Sequence, residues 1–396
     1  MDYNKSAYEL GSKRSIIREI FEYSKIRASE IGPEKVFDFS LGNPSVEPPK
    51  EVTDTLIELL KTQSPTALHG YTSAQGDFNC RDKVAKNLNQ RFNLNLTADN
   101  IYFTCGAAAS LSISLKALIN DGDECIVFAP FFTEYRVFVN NAGAKLVVSE
   151  PEDKTFQVNI EDFESKINKN TKAVIINSPN NPSGVVYTEE TIVKLTNVLK
   201  KKSKEFGKPI YLISDEPYRE LIFSGEKFPF IMNYYDDSIV CYSFSKSLSL
   251  PGERIGYIAV NPNMNCSKEI YLSVCGAGRS LGYVCAPSLF QRVVASNLEA
   301  KVNLDAYKEN RDLIYNGLTE LGYECVKPDG AFYLFVKALE DDAYKFFERA
   351  KEYELLVVPC DDFGVKGYVR IAYCVDKKRI ENSLPAFKKL IESYNK

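Results

Sequence analysis

A lysine among small hydroxyl residues is the feature of this sequence with the clearest chemical potential. Lys246 lies in the stretch SFSKSLSLPGERIGYI, Ser243 to Ile258, which follows an apolar, strand-like run at Ser238 to Tyr242. Arg254 follows eight residues later, directly after a Pro-Gly-Glu segment. A lysine just past a strand end can act as an amine nucleophile, and an arginine beside it can bind an anion.

A ligand that suits an amine nucleophile beside an anion site carries both an aldehyde and a phosphate, and pyridoxal phosphate is such a ligand. The alternative is a solvated lysine in a serine-rich loop, beside an ordinary surface arginine. These two residues alone do not decide between the two interpretations, so the elements that position them have to be considered.

The composition indicates a globular protein of ordinary charge. A chain of 396 residues exceeds the size at which one hydrophobic core keeps growing, so we expect two domains. The net charge of −4 provides no basic field that would attract nucleic acid or an acidic membrane. No run has the length of a signal-peptide core or of a bilayer span, so we expect a cytoplasmic protein.

Residue counts narrow the chemistry further. The ten cysteines include no CxxC pair and no Cys/His metal spacing, which favours reduced core residues and no metal site. The single histidine, His69, excludes a multi-histidine metal site and leaves proton transfer to Lys, Tyr, Asp or Glu. Tryptophan is absent, so any aromatic stacking on a ligand uses Phe or Tyr.

Short apolar runs alternate with helical patterns through the first three quarters of the chain. The predicted strands are Asn100 to Thr104, Glu124 to Ala129, Lys145 to Ser149, Lys172 to Asn177, Ile210 to Ser214, Ser238 to Tyr242 and Ile255 to Val260. This pattern predicts an α/β fold, with a mostly parallel seven-stranded sheet between two helix layers. Ligands of such sheets bind at the carboxyl ends of the strands.

After about residue 290 the pattern changes to a smaller α+β unit. We predict a helix at Ser288 to Leu321, strands at Gly330 to Val336 and Tyr368 to Tyr373, and a final helix. A short strand at Val36 to Leu41 is expected near the N-terminus. The predicted domains are residues 45–290 as the large unit, and residues 1–44 with 291–396 as a discontinuous small unit.

Three further motifs follow predicted strands, and an arginine lies within another. The strand ending at Thr104 opens into CGAAAS, where small residues at a helix N-terminus suit a phosphate, although close helix packing also explains them. SPNNPSG (Ser178 to Gly184) follows the predicted strand Lys172 to Asn177. SDEPYRE (Ser214 to Glu220) comes at the end of the predicted strand Ile210 to Ser214. Arg370 lies within the strand Tyr368 to Tyr373.

In this order and spacing the set resembles the fold-type I PLP-dependent enzymes of the aminotransferase class I/II family, and it is aspartate aminotransferase-like. The resemblance covers nearly the whole chain. It implies that Lys246 is the Schiff-base lysine and proton carrier, and that Asp215 pairs with the pyridine nitrogen. It also implies that Tyr218 and Asn181 contact the cofactor O3′, which lowers the pKa of the lysine–cofactor imine.

The resemblance assigns the remaining site residues as well. Arg254, Ser243, Ser245 and the amides of Gly106, Ala107 and Ala108 correspond to the phosphate site, and Phe132 to the residue that stacks on the cofactor ring. Arg370 corresponds to the arginine that binds the substrate α-carboxylate, with Gly42 and Asn181 beside it. Tyr71 corresponds to a tyrosine that reaches the neighbouring subunit's phosphate, which implies a homodimer.

The implied reaction is transamination from an L-amino acid to a 2-oxo acid such as 2-oxoglutarate. Two alternatives are a C–S β-lyase on the same fold, which often has His in place of Tyr218, and a non-catalytic PLP-binding sensor. Arg279, with Tyr283 in the same loop, is close to where dicarboxylate-specific relatives carry a second arginine. This favours aspartate or glutamate as the substrate, while an interface ion pair is an equal alternative for Arg279.

Overall fold

The computed structural model describes residues 3–12, 15–225 and 227–395. In the first half of the chain the elements are α1 (Lys5–Ser12), α2 (Ile16–Ile31), β1 (Phe37–Asp38), α3 (Lys50–Thr62), α4 (Pro65–His69), α5 (Phe78–Phe92), β2 (Ile101–Thr104), α6 (Ala107–Leu118), β3 (Glu124–Phe128), α7 (Glu134–Asn141), β4 (Lys145–Ser149), α8 (Ile160–Lys166) and β5 (Thr171–Asn177). The remaining elements are α9 (Glu189–Phe206), β6 (Tyr211–Asp215), β7 (Ser238–Ser243), α10 (Phe244–Ser247), β8 (Gly256–Val260), α11 (Ser267–Ser280), α12 (Ser288–Ser296), α13 (Leu304–Glu320), β9 (Cys325–Val326), β10 (Tyr333–Lys337), α14 (Ala343–Lys351), β11 (Leu355–Leu356), β12 (Val358–Pro359), β13 (Tyr368–Ala372) and α15 (Lys377–Glu392). Within these ranges, no helix is both long enough and apolar enough to cross a bilayer.

A seven-stranded sheet forms the centre of the molecule, in the order β2-β8-β7-β6-β5-β3-β4. Strands β4, β3, β5, β6 and β7 pair in parallel. Strand β8 is antiparallel to both of its neighbours, β7 and β2, so β2 runs in the same direction as the five parallel strands. The predicted mostly parallel, seven-stranded α/β sheet is therefore confirmed.

Both faces of this sheet are buried, as the near-continuous apolar strands require. In β5, Val174 and Ile176 face one apolar cluster, whereas Ala173 and Ile175 face the other. The first cluster takes in residues of α5 and α9, and the second takes in residues of α6, α7 and α11. The result is a three-layer arrangement with helices on each side of the sheet.

The strand directions bring several loops to one edge of the sheet. Because β2, β3, β5, β6 and β7 run the same way, their carboxyl ends meet at that edge. Strand β8 runs in the opposite direction, so the segment that enters it also lies there. The loops that carry the predicted motifs therefore converge.

Two smaller sheets involve the C-terminal part of the chain. Strands β12, β13, β10 and β9 form an antiparallel sheet in that order. Strand β1 pairs in parallel with β11, with Phe37 opposite Leu355, so the N-terminal segment joins the C-terminal part. The domain boundaries at residues 44–45 and 290–291 stay a prediction, since one apolar cluster extends from the large sheet into this region.

The predicted single helix from Ser288 to Leu321 is wrong. The structure has α12 and α13 instead, separated at Asn297 to Asn303. The Asn297 side chain donates 2.8 Å to the carbonyl of Val293 at the end of α12, and Asn303 accepts 3.3 Å from the N–H of Ala306 at the start of α13. Asparagine at both positions favours ends rather than a continuous helix.

The predicted strand at Val36 to Leu41 is also shorter than expected. Only Phe37 and Asp38 form β1, because the Asp38 carboxylate turns back onto the chain. It accepts hydrogen bonds from the backbone N–H and the hydroxyl of Ser40, at 2.8 and 2.7 Å. This local turn directs the following residues, including Gly42, toward the common sheet edge.

Candidate active site

Lys246 lies on α10, the short helical turn that follows β7. Ser243 begins this turn, since its Oγ accepts a hydrogen bond of 3.2 Å from the backbone N–H of Ser245. The Ser243 hydroxyl in turn donates 2.8 Å to the Ser245 Oγ. The Lys246 Nζ donates 2.6 Å to the carbonyl oxygen of Gly42, so the lysine contacts the N-terminal segment.

The environment of Lys246 disfavours its charge. Burial is the main cause that lowers its pKa from 10.5 to about 8, and the cations of Arg254 and Arg370 act in the same direction, while Cys374 opposes them. With a pKa near 8, about a tenth of this lysine is a free amine at pH 7, far more than for a lysine of ordinary pKa.

Asp215 is the last residue of β6 and is buried. Its Oδ2 accepts a 2.6 Å hydrogen bond from the Tyr135 phenol on α7, whereas Oδ1 has no hydrogen-bond partner among the described residues. Burial raises its pKa to about 7, with Tyr135 opposing and Glu216 adding to the rise. A buried carboxylate oxygen without a partner is costly, which marks this position as one built for a cationic or proton-donating ligand group.

A buried ion pair fixes the loop that runs from Asp215 to Tyr218. The Arg219 Nη1 lies 2.8 Å from the Glu216 carboxylate, and its Nη2 donates 2.9 Å to the Tyr257 hydroxyl on β8. Both partners of the ion pair are buried, so removal of Arg219 would leave the Glu216 charge uncompensated, whereas Arg219 also lies 3.2 Å from the Glu220 carboxylate. The loop conformation is therefore tied to the neighbouring strands.

The SPNNPSG loop connects this region to Arg370. The Asn177 side chain donates 2.9 Å to the carbonyl of Asp215 and accepts 2.8 Å from the N–H of Asn181. The Asn181 Oδ1 accepts 3.0 Å from Nη1 of Arg370. Asn181 is thereby held between the loop that follows β6 and Arg370.

Arg370 lies on β13, opposite Phe335 and Val358, and is almost fully buried. Besides Asn181, it donates to the backbone carbonyl of Ser40, while its Nε has no partner among the described residues. A buried guanidinium with a free N–H can bind a carboxylate with two parallel hydrogen bonds.

The turn between β2 and α6 has little room for side chains. Gly106 caps α6 with a φ of +90°, and a Cβ there would lie 2.9 Å from Nη2 of Arg254. A Cβ on Gly256 would lie 3.1 Å from the Gly106 Cα. Arg254 donates 3.0 Å to the carbonyl of Pro251 and lies 3.5 Å from the Ser245 hydroxyl. A guanidinium, a hydroxyl and the N-terminus of a twelve-residue helix therefore converge.

Phe132 also lies at this edge, after β3, and is half-buried. Its ring meets that of Tyr135 edge-on, with 5.8 Å between centroids. Tyr135 is the residue that bonds Asp215, so Phe132 borders the same site.

Tyr71 and Arg279 differ from the other predicted residues, because they lie on the surface. Tyr71 is 96% exposed, and Arg279 is exposed on the last turn of α11. No hydrogen bond or ion pair joins them to the Lys246 cluster within the part of the chain that the structure describes. The prediction that Arg279 shares a loop with Tyr283 is wrong, because Arg279 still belongs to the helix. The segments that follow Tyr71 and Arg279 are adjacent, since the N–H of Cys285 donates 3.2 Å to the carbonyl of Ala74.

Four contributors to the site were missed from the sequence. Asn177 could have been recognised, because it is a polar amide at the end of the apolar run of β5. Tyr135, which bonds Asp215, and Tyr333, whose hydroxyl oxygen lies 2.9 Å from that of Tyr218, look like core aromatic residues in the sequence. Ser40 contributes a backbone carbonyl that no side-chain pattern reveals. In the described ranges, no group of three or more His, Cys, Asp or Glu residues is arranged to hold a metal ion.

Comparisons with known proteins place this geometry in a family. The sequence profile of "Aminotransferase class I and II" matches residues 34–387. An aspartate aminotransferase of Thermotoga maritima is 31% identical over 367 residues, which cover 91% of this chain and 92% of that protein. The crystal structure of an aminotransferase from Eubacterium rectale has a TM-score of 0.98 and 57% identity, covering 100% of both chains. That of an aspartate aminotransferase from Thermus thermophilus with maleate has a TM-score of 0.85 and 25% identity, covering 98% of this chain and 100% of that one.

The fold and the family match define a PLP-transferase of fold type I. The chain belongs to the aminotransferase class I and II family. It is a transaminase, and its cofactor is pyridoxal 5′-phosphate (PLP).

Proposed function

We propose that this chain moves the amino group of an L-amino acid to a 2-oxo acid such as 2-oxoglutarate, with Lys246 as the lysine that holds PLP as a Schiff base. The carrying observation is a set of three groups tied to neighbouring loops. Lys246, an amine with a lowered pKa, donates to the carbonyl of Gly42. The buried Asp215, with its unpartnered oxygen, and the buried Arg370, with its free N–H, are linked through Asn177 and Asn181. PLP supplies an electron sink for the Cα carbanion when it is bound.

The residues present fit this cofactor. The unpartnered Oδ1 of Asp215 can accept the proton of the pyridine nitrogen, which compensates its burial. The glycine at position 106 leaves room for a phosphate beside Arg254, and Ala107, Ala108, Ser243 and Ser245 add donors. Tyr218 and Asn181 are proposed to bond the cofactor O3′, and Phe132 to stack on its ring.

Arg370 is proposed to bind the α-carboxylate of the substrate beside Gly42 and Asn181. The Gly42 carbonyl already accepts from the Lys246 Nζ, so a substrate bound there would have its Cα near the amine. Lys246 would then carry the proton between Cα and the cofactor, because the chain's only histidine, His69, is proposed to have no part.

The borohydride-reduced protein tests the role of Lys246. Reduction fixes a lysine–cofactor imine covalently, so peptide mass mapping should find the added pyridoxyl phosphate mass on the Lys246 peptide. Lys246→Ala should lack it and lose transaminase activity by at least about a thousandfold, whereas Lys200→Ala, in a surface lysine run on α9, should resemble the wild type. Label on another lysine would contradict the assignment.

A homodimer is proposed because Tyr71, Arg279 and Tyr283 are exposed and lie on or next to adjacent loops, Arg279 on the last turn of α11. Tyr71 would reach the phosphate of the neighbouring site, and Arg279 the distal carboxylate of aspartate or glutamate. Several relatives are aspartate aminotransferases by name, and the solved Thermus thermophilus enzyme is described with maleate, a dicarboxylate. All ten cysteines are free, which supports a reducing, cytoplasmic location.

Arg279→Ala tests the dicarboxylate proposal. Loss of a charge-assisted pair should lower kcat/KM for L-aspartate by about tenfold to a hundredfold and leave kcat/KM for L-alanine within about twofold. Lys268→Ala, at the exposed start of the same helix, serves as the control. An equal loss for both amino acids would assign Arg279 to an interface ion pair instead.

A further inference from the structure

Tyr333 connects two proposed parts of the site. It begins β10 and is buried, and its hydroxyl oxygen lies 2.9 Å from that of Tyr218. The guanidinium of Arg370 lies over its ring, 4.5 Å from the centroid. Tyr333 therefore contacts both Arg370, which is proposed to bind the substrate carboxylate, and Tyr218, whose phenol is proposed to bond the cofactor.

The hydroxyl of Tyr333 is also packed against Gly42. A Cβ at Gly42 would lie 2.0 Å from this oxygen, so only glycine leaves space for it. The carbonyl of the same glycine accepts the 2.6 Å hydrogen bond from Lys246. The position of the Tyr333 hydroxyl is thus fixed on one side by the segment that contacts the lysine.

We propose that Tyr333 is a positioning residue that links Arg370 to the phenol of Tyr218 and thereby strengthens the hydrogen bond from Tyr218 to the cofactor. This inference rests on the proposed function. If Tyr218 donates its single proton to the cofactor, its oxygen is left to accept, and Tyr333 is then the donor. Hydrogen bonds in such a chain strengthen one another.

The electrostatics agree with this direction. Burial raises the pKa of both phenols, so both keep their protons near neutral pH. The Arg370 cation opposes this rise in the pKa of both phenols, and it lies directly over the ring of Tyr333, which favours Tyr333 as the donor. The ionisable and charged groups that face the pair or Lys246 are Arg370, Asp215, Cys374 and Arg254.

Tyr333→Phe removes the hydroxyl and keeps the ring under Arg370. In the holoenzyme, the pH at which the visible cofactor band changes should rise by about half a unit, because the deprotonated form loses part of its stabilisation. The KM for the amino acid that the wild type turns over fastest should stay within about twofold. A residue that only fills space would not move the spectral pKa.

Tyr333→Leu removes the ring as well. Arg370 then loses its aromatic neighbour, and KM should rise by about tenfold in addition to the spectral shift. Tyr323→Phe is the matched control, because it deletes another buried hydroxyl, which donates 2.8 Å to the carbonyl of Phe387. It should leave both the spectral pKa and KM unchanged.

A double-mutant cycle tests the route through Tyr218. If the effect passes through that phenol, adding Tyr333→Phe to Tyr218→Phe should give no further spectral shift. An additive shift, or a Tyr333→Phe protein within 0.2 unit of the wild type, would overturn the inference alone. If the Lys246→Ala protein kept the visible cofactor band of the wild type, with the same pH dependence, the proposed function and this inference would both be overturned.

Discussion

The burial of Asp215 has a measurable consequence for the stability of the cofactor-free protein. Burial raises the pKa of this carboxyl from 3.8 to about 7. Each pKa unit corresponds to about 1.4 kcal/mol, so the fully developed cost of its charge in the folded state is about 4 kcal/mol. The substitution Asp215→Asn removes this charge.

The sign of the effect follows from the two pKa values. Below about pH 4 the carboxyl is neutral in both the folded and the unfolded chain, so it carries no cost. Between pH 4 and pH 7 the unfolded chain ionises and the folded protein does not, so the wild type loses stability as the pH rises. Above pH 7 the cost stays constant.

The free energy of unfolding of Asp215→Asn, minus that of the wild type, should therefore rise by about 3 kcal/mol between pH 5 and pH 8. The amide can still accept from the Tyr135 phenol, but its buried NH₂ group lacks a partner. That loss of about 1–3 kcal/mol shifts the difference equally at every pH, so it does not change the trend.

Urea unfolding of the cofactor-free proteins at one fixed protein concentration, at four pH values between 5 and 8, measures this difference. Asp99→Asn, at a side chain that is 82% exposed, is the control and should show a difference that changes by less than about 0.5 kcal/mol over the same range. A pH-independent difference for Asp215→Asn would refute the reasoning. With PLP bound, the variant should instead be less stable than the wild type.

Three further predictions concern other parts of the site. Arg370→Lys should lower kcat/KM by about a hundredfold for every amino acid, because lysine cannot form two parallel hydrogen bonds with a carboxylate, and steady-state kinetics on several substrates checks it. Gly106→Ala should weaken PLP binding by about tenfold or more, since the Cβ would lie 2.9 Å from Arg254, and fluorescence titration of the cofactor-free protein measures this. In the cofactor-free protein, labelling of Lys246 by an amine reagent should reach half its maximum near pH 8 rather than near pH 10.5, and mass spectrometry of the Lys246 peptide reads it out.

Most of the sheet and several site residues were predictable for a simple physical reason. A strand buried on both faces is an apolar run, and the polar residue that follows it stands out, as Asp215 does after IYLIS. The parallel order then brings such residues to one edge, as it does for the loops after β5, β6 and β7. Their roles stay predictions until they are measured.

The remaining features depend on contacts that sequence patterns do not encode. Tyr135 bonds Asp215 across 80 residues, and Tyr333 meets Tyr218 across 115 residues. In the sequence both tyrosines look like core aromatics. The break between α12 and α13 was also missed, although Asn297 and Asn303 fit two helix ends.

The most direct test of the central claim is the half-reaction without any oxo acid. The PLP form of the protein is mixed with L-aspartate while the visible spectrum is recorded and the released product is assayed. Conversion to the pyridoxamine form with one equivalent of oxaloacetate per site, absent in Lys246→Ala, is the predicted result. Conversion only with a neutral or aromatic amino acid would keep the mechanism and discard Arg279 as the distal site. Release of pyruvate and ammonia from cystathionine, with the original spectrum regenerated and no half-reaction with any amino acid, would contradict the claim.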